Sequence, residues 1–195
     1  MLSDLCSWSR GACIALCFCL AVSTVGATQQ PTNDPQWATF KSQDSKDCQF
    51  SVVFPIKPTI AKDSLKRSQT DGFPIWTYSA TGKRAAYILS CTISPPIFSS
   101  RGRESAMLAG ERDETLRAAA GKLSDDKAIT VSGFPGRAFT IIFTASNTRY
   151  ISYYELVLTE RTLYQLAVTI PTDYIKPDKV TDVDRFFDSF SISPH

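Results

Sequence analysis

The chain has 195 residues, 43% hydrophobic and 21% charged, with a formal net charge of +2. That is the make-up of an ordinary folded protein, and the charge is too small to argue for a nucleic-acid partner or for an anionic membrane. The basic pairs Lys66-Arg67, Lys83-Arg84 and Arg101/Arg103 are scattered and read as solvated surface.

Residues 1–27 read as a secretory signal peptide. Arg10 supplies a short basic start, Gly11 to Val22 an apolar run, and Val25-Gly26-Ala27 the small-residue end that precedes cleavage between Ala27 and Thr28. Cys6, Cys13, Cys17 and Cys19 leave with this leader, so the mature chain keeps Cys48 and Cys91. The expected location is periplasmic or secreted. The alternative is a chain anchored through an uncleaved or lipidated leader, although Cys17 follows Leu16 and Cys19 follows Phe18, where lipid attachment wants a small residue. No later apolar run is long enough to span a bilayer.

Residues 28–36 are polar with two prolines and read as a flexible lead-in, and 37–195 read as one domain. Structure is expected to begin near Trp37 and Phe40. Phe50, Val52 and Phe54 mark a half-buried strand closed by Pro55. Residues 59–69 read as an edge strand or extended arm, with a turn at Asp71-Gly72. Strands at Phe73–Ala80 and Ala85–Ile93 flank a hairpin loop of Thr81-Gly82-Lys83-Arg84, and Pro95-Pro96 ends that run. From Glu104 to Leu123 the period becomes helical, with Leu108, Thr115, Leu116, Ala119, Ala120 and Leu123 on one face. A strand at Ala128–Val131, a turn at Gly133–Gly136 and a strand at Ala138–Thr144 follow. Tyr150–Leu158 and Leu163–Ile170 form a further hairpin through Thr159–Thr162. Val180, Val183, Phe187 and Phe190 then step by helical spacing behind Pro177 and Asp178. Strands in runs, broken by only two helices, predict an α+β fold: a mainly antiparallel sheet covered by helices.

Trp37-Ala-Thr-Phe40, Phe50-Ser-Val-Val-Phe54-Pro55, Gly133-Phe-Pro-Gly136-Arg137, Leu163-Tyr-Gln-Leu166 and Arg185-Phe-Phe-Asp-Ser-Phe190 occur in succession. That series resembles a group of small exported bacterial proteins with a PsbP-like α/β/α sandwich. The resemblance implies that fold, and an accessory or binding role rather than an enzymatic one. Its motifs are structural, so no catalytic residue carries over.

The cysteines are argued from the chain alone. Cys48 shares parity with Phe50, Val52 and Phe54, and Cys91 with Tyr87, Leu89 and Ile93. Two inward cysteines in an exported protein predict a disulfide. The competing reading is two buried free thiols acting as small apolar fillers. The missing Cys-x-x-Cys argues against a redox couple.

Candidates for catalysis are few. The single histidine is the terminal His195, which removes the commonest general base and any Ser-His or Cys-His pair. Ser124-Asp125-Asp126-Lys127 fits S-x-x-K, yet it follows the predicted helix instead of opening one and reads as a cap and turn. Asp178, Asp182, Asp184 and Asp188 lack the glycine and final glutamate of a calcium loop and read as the wet face of the last helix. Trp37, Trp76, Tyr78, Tyr150, Tyr153, Tyr154 and Tyr174 are ring-stacking candidates, against a plainer role in core and strand packing. Adjacent Tyr153 and Tyr154 must face opposite ways, leaving one exposed or covered by a partner.

The expectation is a non-catalytic exported accessory or binding protein of the cell envelope, with no cofactor or metal and an envelope protein or peptide as partner. The alternative is a histidine-independent hydrolase using carboxylates or a Ser/Lys pair. A third reading makes the 59–69 arm a sheet edge that recruits a partner strand.

Overall fold

A computed structural model describes residues 37–42, 46, 48–60, 75–82, 84–93, 102–175 and 177–193, with the side chains of 177–180 left out. The leader, its cleavage point, the lead-in, most of the 59–69 arm, the Asp71-Gly72 turn and His195 lie outside the described residues.

The strands are β1 (Ala38–Lys41), β2 (Phe50–Phe54), β3 (Thr59–Ile60), β4 (Ile75–Thr81), β5 (Ala86–Ile93), β6 (Lys122–Val131), β7 (Phe134–Ala145), β8 (Thr148–Leu158), β9 (Thr162–Pro171) and β10 (Ser191–Ile192). Among the described residues the helices are α1 (Glu104–Ala119) and α2 (Pro177–Asp188), with a 3₁₀ turn at Thr172–Tyr174. A seven-stranded sheet runs β3-β4-β5-β9-β8-β7-β6, and a three-stranded sheet runs β1-β2-β10. Every pairing is antiparallel.

The large sheet is covered on both faces, which is why β9 is buried along nearly its whole length. On one face, Leu108 of α1 joins Phe139, Ile141, Tyr154 and Leu156, with Met107 and Leu116 beside them. On the other, the small sheet and α2 share the covering layer. Phe50, Val52, Phe54, Val183, Phe186 and Phe190 meet Tyr78, Tyr87, Leu89, Tyr164 and Leu166 there. The α+β expectation holds, with a small sheet added to the second helix's layer.

The hairpins follow turn chemistry. Ser132-Gly133 and Ser146-Asn147 all have positive φ, the signature of two-residue type I′ connections. The turn therefore precedes Phe134-Pro135-Gly136, which belongs to β7, contrary to the 133–136 reading. Gly136 is needed there because a Cβ would lie 2.6 Å from the Leu156 carbonyl oxygen. The β4–β5 connection closes with Gly82 N–H donating to the Ala85 carbonyl at 2.8 Å.

Helix α1 stops four residues before the expected Leu123. Ala120 takes a left-handed conformation, and the Ala120 and Gly121 amides donate to the Arg117 and Leu116 carbonyls, a C-terminal cap. A Cβ at Gly121 would lie 2.4 Å from Ile141, so glycine lets the chain turn against the sheet. Lys122 onwards is then strand, and Leu123 is exposed rather than on the helix face. Ser124–Lys127 is likewise no cap or turn. It lies in β6 at a register shift between Leu123 and Asp125, a bulge of the kind common at sheet edges.

In α2 the deepest ring is Phe186, fully buried against Phe54 and Tyr87. The expected Phe187 is half-buried beside it, and Phe190 packs from just beyond the helix on Phe50 and Tyr164.

Candidate functional site

The expected site residues sort by face. Cys48 and Cys91 are both fully buried and joined as a disulfide with a Cα–Cα distance of 6.1 Å, within the normal range for a bridge. Cys48 leads into β2 and Cys91 sits in β5 between Trp76 and Tyr164, so the bond ties the small sheet to the large one. Most of the ring-stacking candidates pack on neighbouring rings. Tyr78 is core, Tyr154 stacks on Phe139, Tyr150 stacks on Phe143, and Trp37 packs edge-on to Tyr87.

On the α1 side, Asp126 of β6 is held by two arginines. Arg137 donates through Nε at 2.6 Å and Nη2 at 2.5 Å, and Arg112 of α1 donates from above. The Arg137 guanidinium first, with Arg112 adding to it, holds the Asp126 carboxyl below its usual range, and burial opposes them. This network fastens α1 to the sheet, with both Asp126 carboxylate oxygens engaged by arginine.

The chemistry-bearing cleft is on the opposite face, under α2. Strand register sets Lys127, Ala138 and Glu155 in one cross-strand row, and Asp125, Thr140 and Tyr153 in the next. Val183, Asp184 and Phe187 of α2 close over these rows, leaving a cavity of about 150 Å³. Glu155 is mostly buried in it, and burial first, then Asp188, push its carboxyl up to about 7, with Lys127 opposing. Burial and Asp184 likewise raise the Tyr153 hydroxyl. Tyr153 is the half-buried member of the Tyr153-Tyr154 pair, and the cover comes from this chain's own helix.

The aspartate run thus divides. Asp184 and Asp188 are exposed at the rim of this cleft, whereas Asp182 is part-buried and helps to raise the Tyr87 hydroxyl. The side chain of Asp178 lies outside the described residues. Among the described residues no three acidic, histidine or cysteine side chains stand close enough to share a metal ion. Sequence reasoning missed Glu155. Its signal was an acid at the same parity as Ile151, Tyr153 and Val157, in the middle of a strand whose other charge on that face, Arg149, sits at its start.

No protein-family model matches the chain, and no curated protein does. Among solved structures, the cyanobacterial PsbP (CyanoP) of Synechocystis sp. PCC 6803 matches at a TM-score of 0.54 with 10% identity, over 86% of this chain and 98% of that one. The fold is PsbP-like. The Pseudomonas aeruginosa protein of unknown function PA94 is similar at 0.49 and 8%, over 82% of this chain and 99% of that one. LpqN, involved in cell envelope biogenesis of Mycobacterium tuberculosis, is similar at 0.47 and 12%, over 82% and 92%. Of these three, CyanoP is near enough to assign architecture, and at such low identity a PsbP-like fold carries no activity with it.

Proposed function

We propose that this PsbP-like domain is a non-catalytic accessory or binding protein working outside the cytoplasm, at the cell envelope. The observation that carries the reading is the fully buried Cys48–Cys91 bridge. Disulfides of this structural kind persist in oxidising compartments and are rare in the reducing cytosol. The leader-like residues 1–27 supply the route out. The cleft is too small for an ordinary small-molecule site, which favours a macromolecular partner over a small substrate. Its volume of about 150 Å³ is well below the several hundred cubic ångströms of ordinary substrate sites. Its one strongly shifted carboxyl faces other acids across a lid of packed helix.

The test is intact mass and thiol counting on protein recovered from the expressing cell. The expected product begins at Thr28, has no alkylatable thiol without reductant, and is two hydrogens lighter than the reduced chain. Two reactive thiols in the native protein overturn the reading, and so does an intact Met1 with a cytosolic distribution.

A further inference from the structure

One end of the domain gathers exposed apolar and cationic side chains. The register pairs Thr59 with Ser79 and Thr81 with Ala86, so the segment ahead of β3 runs level with the β4–β5 hairpin. Ile56 and Lys57 are exposed on that segment. Arg84 of the hairpin lies over the ring of Tyr174, 5.5 Å from its centre. Tyr174 and Ile175 leave β9 at the same end, where Thr172 donates its hydroxyl to the carbonyl of Arg149. Trp37 joins them: Ala38 pairs with Phe54, Trp37 packs on Tyr87, and Arg185 stacks over the indole at 4.9 Å. Ile56, Tyr174 and Ile175 are 43%, 44% and 39% exposed, the larger part of the exposed bulky apolar side chains among the described residues. Around them Lys57, Arg84, Arg149 and Arg185 are exposed, against the carboxylates Asp173 and Asp182.

We infer that this end is a docking surface for an anionic bilayer. Aromatic rings, aliphatic tips and arginines together are what the headgroup boundary favours, with the apolar parts entering and the guanidiniums held at phosphate level. The chain's own course points to the same occupant. The polypeptide enters the domain at Trp37, on this face, fifteen residues after the apolar leader run ends at Val22. A stretch of that length reaches at most about 50 Å, so a leader held in the membrane keeps the entry point at Trp37, and this end with it, within that distance of the bilayer. The inference rests on the export reading, and it explains why whole-chain charge gave no sign of it: the +2 is a sum, whereas the surface potential at a docking face is local.

The test is partition of the exported protein onto sedimented vesicles of phosphatidylglycerol with phosphatidylethanolamine, against vesicles of phosphatidylcholine. Each arginine near an anionic surface is worth about fivefold in affinity, so Arg84→Gln with Arg149→Gln is expected to weaken partition about 25-fold. Ile175→Ser weakens it further, and Arg161→Gln on the opposite hairpin leaves it unchanged. These side chains are exposed, and unchanged melting temperatures show that the variants fold. In cleaved protein, brominated phosphatidylglycerol should quench Trp37 emission, and Trp37→Phe should remove the quenching. Equal partition of wild type and the double arginine variant overturns the surface, whether or not the leader is retained. Binding of polyglutamate without vesicle binding assigns the end to an acidic protein partner and equally overturns it. Export is read independently from the N-terminus and the thiols, so a cleaved, oxidised protein that ignores vesicles defeats this surface and leaves the proposed function standing.

Discussion

Removing the Cys48–Cys91 bridge, by Cys48→Ala with Cys91→Ala, is expected to lower folding stability by about 4 kcal/mol. The bond closes a loop with a sequence separation of 43. Chain-entropy reasoning for a loop of that size gives about 4 kcal/mol as the cost of freeing the unfolded chain. Against a total of roughly 5–15 kcal/mol this is a large fraction, and for a domain of this size it corresponds to about 8–16 °C in melting temperature.

The effect is expected in global stability and not as detachment of the small sheet. Phe50, Val52, Phe54, Phe186 and Phe190 are all buried in the same core, each contributing about 1.5–3 kcal/mol on burial. Their sum exceeds the bridge, so the small sheet stays docked in the double variant at room temperature. Urea unfolding followed by near-ultraviolet circular dichroism checks both points. A midpoint shift worth less than about 1 kcal/mol, or a loss of aromatic signal before the main transition, would contradict them.

The parts of this fold that were readable in the sequence are those set by local parity. Cys48, Phe50, Val52 and Phe54 alternate cleanly, and all four are buried. Cys91 and Leu89 share an inward face in the same way. The parts that escaped are set by contacts distant in sequence. Leu123 continues the helical spacing of α1, but Gly121 must approach Ile141 of β7, and that approach ends the helix. The Ala-Gly pair there was a usable stop signal that the leucine spacing overrode. In α2, Val183 predicts a neighbour at either three or four positions on. The choice of Phe186 over Phe187 is made by the rings of Phe54 and Tyr87 across the layer. Glu155 was hidden for a related reason. Its strand was recognised, but only the placement of α2 above β8 turns a charged strand residue into a half-enclosed carboxyl facing Asp188.

Glu155 gives the sharpest pH dependence. Its folded value is pushed up to about 7 from the ordinary glutamate value of 4.5, so between those limits the native state binds the proton more tightly than the unfolded chain. Stability therefore falls as pH rises from about 4.5 to 7 and levels off above it. Each pKa unit is worth about 1.4 kcal/mol, which puts the ceiling near 3 kcal/mol, with partial exposure and Lys127 reducing it. Glu155→Gln keeps the shape and removes the charge. It should match wild type at pH 4 and exceed it by about 1–3 kcal/mol at pH 8, read as the difference between denaturation midpoints across that range. Asp188→Asn should recover a smaller part, since burial outranks Asp188 as a cause. The same variant separates the two functional readings. A carboxylate hydrolase with Glu155 as its proton donor would lose turnover in Glu155→Gln while gaining stability, the trade expected where a strained group is kept for chemistry. In an accessory protein the gain comes without any such loss, because the carboxyl under α2 is a consequence of laying an acid-bearing helix across the open end of the sheet. An identical pH slope in wild type and Glu155→Gln would remove this residue from both accounts and return the slope to the exposed acids of α2.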